Sequence, residues 1–474
     1  MHTTVYASDY ATLDSDVIHG GGTDQTEVLQ GLLDKALEWG HLHLIMDGAA
    51  LIRGLKVHSN TTIQCMDKSC GFYLADDSDC AVLCNSNPGY EEVRTRNVTL
   101  VGGTYNHNCL HQAHDVPCND PALTSDAPDG QGVHWTVSLE FIGIEDLTVR
   151  DVTVRDQRTF AFTVGNFRRV YIENTFFELE NEILFGNQDG FHFWGPGQFL
   201  TVKNVGGRTQ DDFMNIGPDE RDGVSSITDV LVDGVMLDNA YQAIRLLSRD
   251  KGRLDRVTVR NVTGEYRCFG FYVNPWFPEE MGNFGNIVFE NIDLRPGENP
   301  YANTLYNVRP VLFSIGGDFE ALTLRNIQWH HPNDDREVFR IGCPFHDADR
   351  PFTRKPRIRS LLIDGLQLCD EEGGSREAAY ITVRGIVDRL TIRDADVLRR
   401  GEDKDAGCFL KTRPDAEIRR LTLDRVSADN VSTLLELNEG RVERLLLNGV
   451  VTEGVADPIK GTPRAVCGEI TELK

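Results

Sequence analysis

A six-residue phrase recurs along this chain, in which two apolar residues alternate with polar ones and an Asn, Asp or Gly follows at the fifth place. It reads LTVRDV from Leu147, VYIENT from Val170, LTVKNV from Leu200, VLVDGV from Val230, VTVRNV from Val257 and IVFENI from Ile287. It continues with LTLRNI from Leu322, LLIDGL from Leu361, LTIRDA from Leu390, LTLDRV from Leu421 and LLLNGV from Leu445, and a looser copy, VTLVGG, begins at Val98. Alternation at period two is strand geometry, which sets aside the helical repeats of similar length. The fifth positions are Gly102, Asp151, Asn174, Asn204, Gly234, Asn261, Asn291, Asn326, Gly365, Asp394, Arg425 and Gly449. All but Arg425 are residue types that accept a left-handed backbone at least cost, so each strand is expected to turn a tight corner there.

The steps between phrases run from 23 to 49 residues. Short strands stacked coil on coil at about 4.8 Å make a parallel β-helix, with the longer steps absorbed as loops at the corners. The expected fold is therefore all-β: a right-handed parallel β-helix, or solenoid, with an N-terminal capping helix. A leucine-rich horseshoe is the rival, but its asparagine-bearing consensus and convex-side helices are absent. One domain is expected over 1–474, with a cap region at 1–60, coils at 95–455 and a C-terminal end at 456–474. Asp24-Gln-Thr-Glu27 has the form of a capping box, and Val28, Leu29, Leu32, Leu33, Ala36 and Leu37 follow at helical spacing to about Trp39. Such a helix would plug the first coil and cover its strand edges.

The formal charge of −25 argues against nucleic acid and anionic membrane as partners, and it makes a long polyanionic substrate less natural, although one local basic pocket could override that. No run of some eighteen apolar residues exists to span a bilayer. The start lacks a basic region followed by an apolar stretch, so a cytoplasmic location is expected, or a secreted one if a leader has been removed. Eleven cysteines with no CxxC motif read as thiols, Cys268, Cys343, Cys369, Cys408 and Cys467 as buried ones, while the six between Cys65 and Cys118 leave room for a disulfide.

The order of elements at the amino terminus, Gly20-Gly-Gly-Thr-Asp-Gln-Thr26, a helix, HLHLIMDGAALI and then SNTTIQ, resembles the signature of the pectate-lyase-like β-helix superfamily. The match in order covers nearly the whole chain.

The chemistry concentrates in Asn187-Gln-Asp-Gly-Phe-His-Phe-Trp-Gly195 and Gln210-Asp-Asp-Phe-Met-Asn-Ile-Gly217. Setting Phe191 over Met214 and Phe193 over Ile216, each pair 23 residues apart, stacks Asp189 on Asp212 with Asp211 beside them. Three neighbouring carboxyls repel, so one is expected to hold a proton while another stays ionised. That pairing supplies the general acid and general base of glycoside hydrolysis. An Asp beside Gly is otherwise an ordinary Asx turn, as at Asp233-Gly234 and Asp364-Gly365; the two-coil alignment is what raises the acid trio above that.

These motifs resemble those of the polygalacturonase and rhamnogalacturonase family of glycoside hydrolases. Asn187, Asp189, Gly190, Gln210, Asp211 and Asp212 match its Asn-Thr-Asp-Gly and Gly/Gln-Asp-Asp motifs, with Gln188 in place of the Thr. The resemblance implies Asp211 as general acid, Asp189 and Asp212 as holders of the attacking water, inversion at the anomeric carbon, and neither metal nor other cofactor. Two departures concern the substrate. Gln242 stands where the family's Gly-His-Gly histidine would be, and Gly270-Phe-Tyr-Val273 replaces its Arg-Ile-Lys clamp for a uronate carboxylate.

Alternation projects His192, Asn215, Arg245 and Tyr272 outward, one per coil, as a row suited to sugar hydroxyls, and Arg245 alone could take one carboxylate. Trp135, Trp194, Tyr241 and Trp276 are the aromatics near this face, with Trp276 the leading platform candidate. Substrate contacts are therefore expected from Asn187, His192, Asn215, Gln242, Arg245, Tyr272 and Trp276. His107, His111, His114 and Asp115 lack the strand or helix context of a metal site and read as lining the groove. The Asn-x-Thr/Ser triplets at Asn60, Asn97, Asn261 and Asn430 are by-products of the repeat.

The leading reading is a hydrolase cutting a carbohydrate other than polygalacturonate. The insertions at 102–145 and 295–320 would wall its groove. Two alternatives stay open. A lyase or epimerase would need a uronate, calcium and a proton-abstracting base; a non-catalytic glycan-binding β-helix of the phage-tail kind would use the aspartates only as turns.

Overall fold

The computed structural model describes residues 3–113, 136–180, 187–275, 279–298, 310–331, 337–343, 354–370, 378–399 and 407–473. Two compact units divide them: 1–217 with 229–241, and 218–228 with 242–474.

In the first unit the phrases stack in parallel register as their spacing requires. Thr61 pairs with Val98, Val98 with Leu147, Leu147 with Val170 and Val170 with Leu200. In the second, the column runs Val257, Ile287, Leu322, Leu361, Leu390, Leu421, Leu445. Both columns are core: Leu147, Leu390, Leu421 and Leu445 are fully buried, and Val170 is only 2% exposed. Each such aliphatic side chain contributes about 1.5–3 kcal/mol by leaving water. Slipping one strand by a single residue would turn its whole apolar set outward, so the register is held by burial. Parallel pairing starts as early as Thr3–Tyr6 against Leu42–Met46, inside the expected cap region, and continues to Ile470–Leu473 against Val450–Glu453.

All twelve fifth-position residues adopt positive φ, from 49° at Asp394 to 85° at Gly234. Arg425, the exception by residue type, is no exception in backbone, at φ 53°; its guanidinium grips the Asp394 carboxylate of the preceding coil at 2.5 and 2.7 Å. Elsewhere the corner amides bond along the stack. Asn291 donates to the Asn261 side chain at 2.9 Å and Asn326 to Asn291 at 2.8 Å. The four Asn-x-Thr/Ser asparagines have φ between 57° and 63°, which marks them as corner residues too.

The helix spans Thr26–Trp39 and packs on the strands Leu42–Met46 and Leu55–Val57. Asp24 accepts the Thr26 N–H at 2.9 Å, and Gly40, at φ 78°, closes the far end with its N–H on the Ala36 carbonyl. Leu29, Leu32, Leu33 and Ala36 are buried, whereas Val28 and Leu37 are exposed, against expectation. At 100° per residue both lie about 90° from the centre of the buried stripe, one on each flank.

Among the described cysteines, ten are free thiols, including Cys65, Cys70, Cys80, Cys84 and Cys109, so the disulfide alternative finds no bond there. Cys118 lies outside the described residues. Cys467 is exposed and Cys369 half-buried rather than buried. Among the described residues no helix is long and apolar enough to cross a membrane.

Candidate active site

The acid trio belongs to the first unit, where two successive coils leave a corner and enter strands. Phe191 pairs with Met214, His192 with Asn215, Phe193 with Ile216 and Trp194 with Gly217, which is the register read from the sequence. The Gly190 N–H donates to the Asp212 carbonyl at 2.8 Å, and the Gln188 carbonyl accepts from the N–H groups of Gln210 and Asp211 at 3.3 Å each. These bonds fix one corner over the next. Gly190 is required by space: a Cβ there would meet the Phe213 carbonyl at 2.4 Å and the Phe177 ring at 2.5 Å.

The result is that carboxylate oxygens of Asp189, Asp211 and Asp212 lie within 4.8 Å of one another, the grouping among the described residues with the geometry to hold a cation. Asp189 and Asp212 are buried and Asp211 is half-buried. Asp211 is thus the carboxyl of the three with most access to a ligand.

His192 occupies a different place from that expected. Its Nδ1 lies 2.8 Å from Asp189 Oδ2, and Phe160 stacks on its ring at 4.0 Å with 13° between planes. The imidazole is buried by these partners, so it serves the carboxylate rather than an open sugar face. Phe160 was missed in the sequence because it falls at a corner, outside the alternating phrase. Carrying the Phe162–Phe191 pairing back two residues sets it under Asp189. Gln157 joins the same corner, its carbonyl accepting from Gln188 Nε2 at 2.6 Å.

Asn187 is a half-buried corner residue at φ 57° and Asn215 is buried opposite His192. Gln242, Arg245 and Tyr272 lie in the second unit and are buried as well. There the Arg245 guanidinium sits 4.7 Å from the Tyr272 ring centroid, and Phe269 stacks on that ring at 4.3 Å. With both partners on its faces Tyr272 is fully enclosed, and burial pushes its phenol pKa up. The expected outward row is therefore a set of packed polar side chains. Trp276 and Trp135 lie outside the described residues, as do His114, Asp115 and much of both expected walls.

His107 does not line a groove. It is fully buried, its Nε2 3.2 Å from the Cys80 carbonyl and its Nδ1 accepting the Arg158 N–H at 3.1 Å, with the Ser138 hydroxyl at 2.9 Å. Burial pushes its pKa down to about 3. Both ring nitrogens have a structural use. His111 is exposed and held by the Asn108 side chain at 2.8 Å.

Fold and corner geometry together define a right-handed parallel β-helix protein that carries a three-carboxylate cluster on adjacent coils. Among solved structures it is similar to an exopolygalacturonase from Thermotoga maritima, at 13% identity and a TM-score of 0.52, covering 94% of this chain and 92% of that one. It is similar also to the N-terminal fragment of gene product 12 of bacteriophage phi29, at 14% identity and a TM-score of 0.60, covering 95% and 72%. Likeness at this identity is one of fold. No family model matches the sequence, and no curated protein does either.

Proposed function

We propose that the protein is a glycoside hydrolase in which Asp211 protonates the leaving oxygen while Asp189 and Asp212 hold and activate the water. The observation that carries this is the meeting of three carboxylates within 4.8 Å on consecutive coils, with Asp211 the more accessible and Asp189 steadied by His192. Charges this close favour retention of a proton among them, which keeps an acid and a base available in one site. The solved structure of an exopolygalacturonase with the same fold supports a glycan as the ligand class. Without a cationic pair at Gly270 and Tyr272, the substrate is a sugar other than polygalacturonate.

The resemblance implies inversion. Inverting pairs generally leave a gap of about 6.5–9.5 Å between carboxyl groups for water and retaining pairs about 5–5.5 Å, so the stereochemical course is a direct test of the site. Proton magnetic resonance of the first anomer released decides between single and double displacement. The substrate comes from a panel of aryl glycosides and pectic, galactosyl and rhamnosyl oligosaccharides. Absence of turnover on every member, with glycan binding retained, would overturn the hydrolase reading.

A second reading rests on the same distances. Three carboxylate oxygens so placed suit a calcium ion, which takes oxygen ligands at about 2.3–2.6 Å, as an eliminating lyase would need. Activity abolished by a chelator, with an ultraviolet-absorbing unsaturated product, would favour it over hydrolysis.

A further inference from the structure

A second feature lies in the second unit, on strands that carry none of the acid trio. Just before the core leucines Leu390, Leu421 and Leu445 stand Arg389, Arg420 and Arg444, and these pair directly across the sheet, Arg389 with Arg420 and Arg420 with Arg444. All three are exposed. Like charges facing one another on neighbouring strands, about 4.8 Å apart, repel and lower stability. The acids that would offset them are engaged elsewhere. Asp388 is held by Arg357 at 2.8 Å and by Arg419 at 3.3 Å, Glu443 by Arg441 at 3.1 Å and Glu417 by Lys355 at 2.5 Å. Among the described residues none of the three arginines has an ion-pair partner.

One coil earlier the place before the core leucine Leu361 is Ser360, so the column ends at Arg389. Beside it, Arg354-Lys355-Pro356-Arg357-Ile358-Arg359 brings four cations into six residues; Arg354, Lys355 and Arg357 pair with Asp318, Glu417 and Asp388, and exposed Arg359 has no ion-pair partner among the described residues. A cavity of 290 Å³ opens here, its charged lining Arg253, Arg354, Arg357 and Arg359 against Asp250, Asp318 and Glu320. In a chain of net charge −25, the column Arg389, Arg420 and Arg444 is a local excess of positive charge.

We infer that this face binds an acidic polysaccharide carrying one carboxylate per sugar, laid along the column Arg389, Arg420, Arg444. The guanidinium fork matches a carboxylate bidentately. A chain of pyranose rings advances by roughly one inter-strand spacing per ring, which keeps its carboxylates within reach of the three long guanidinium side chains. Duplex nucleic acid, with a charge every ~1.7 Å, is disfavoured because the surrounding acidic surface repels it far more strongly. The face is independent of the acid trio, and the inference stands whether or not the hydrolase reading does.

The test is affinity electrophoresis of the full chain in gels containing alginate, with neutral dextran as reference, over a range of salt. Alginate is expected to retard the protein and dextran not to. Arg389→Gln/Arg420→Gln/Arg444→Gln should weaken alginate binding at least tenfold and lower the slope of log affinity against log salt by about two. Arg53→Gln/Arg94→Gln/Arg96→Gln removes the same charge from the first unit and should change little, and Asp211→Asn should leave retention intact. Should the triple variant unfold, Arg420→Gln alone is expected to weaken binding about threefold. Equal loss in both triple variants, no retardation by alginate, retention unaffected by the stripe substitutions, or tighter binding of a DNA duplex would each overturn the inference.

Discussion

His192 Nδ1 lies 2.8 Å from Oδ2 of Asp189, three residues back on the same turn of the coil, and Phe160 covers the flat side of the imidazole. With Asp189 ionised the imidazole is the donor, and the bond holds the carboxylate in one orientation. Replacing His192 with Phe keeps the stacking surface and deletes the donor. The expected outcome is a fall in kcat of about tenfold or more with KM little changed. Loss of a hydrogen bond to the carboxylate raises its pKa, so the acidic limb of the pH–rate profile should move to higher pH. An unshifted profile would reduce His192 to packing.

Asp211→Asn should lower kcat by about 10²–10⁴-fold while thermal unfolding and sugar binding stay near those of the unaltered protein. Asp189→Asn and Asp212→Asn should act in the same direction, and double variants should cost far less than the product of the singles because the trio works as a unit. Full activity in all three single variants would remove the assignment.

Asn291 has a backbone role and a side-chain role at its corner: φ is 57°, and its amide bonds to Asn261 and Asn326. Asn291→Ala should lose both, at about 2 kcal/mol in urea unfolding. Asn291→Gly keeps the backbone preference and should lose only about half as much. Equal losses would mean that the amide ladder alone matters.

His107 binds its proton only near pH 3 in the folded protein, against 6.5 for an unperturbed histidine. Between those values the unfolded chain holds more protons, so the stabilising effect of the neutral ring is complete above pH 6.5 and is lost as pH falls through that window. His107→Gln should flatten the dependence of unfolding free energy on pH there by up to about 1.4 kcal/mol per pH unit. Urea titrations at several pH values between 4 and 7 read the difference.

What the sequence made legible is periodic. The strands, the core columns, the left-handed corners and the stacking of Asp189 on Asp212 all follow from counting residues between phrases, because parallel register turns a sequence interval into a position. The solvent side did not follow the same way. Alternation sends His192, Asn215, Arg245 and Tyr272 away from the core, yet all four are buried: Phe160, from a corner where no period exists, covers His192, while Arg245 itself covers Tyr272. The fate of His107 was equally hidden, since its partners Cys80, Ser138 and Arg158 are scattered over separate coils.

The corner residues carry an implication for how such a chain tolerates change. Because each bend is set by one locally permissive amino acid and the apolar columns realign after it, segments between successive turns can lengthen or shrink without disturbing the alignment above and below. Within 210–212, whose backbone is bonded to the corner one coil before, that freedom vanishes: a residue inserted there would swing Asp211 or Asp212 out of line with Asp189. Length variation among descendants of this scaffold should therefore gather in other intervals and leave that one untouched.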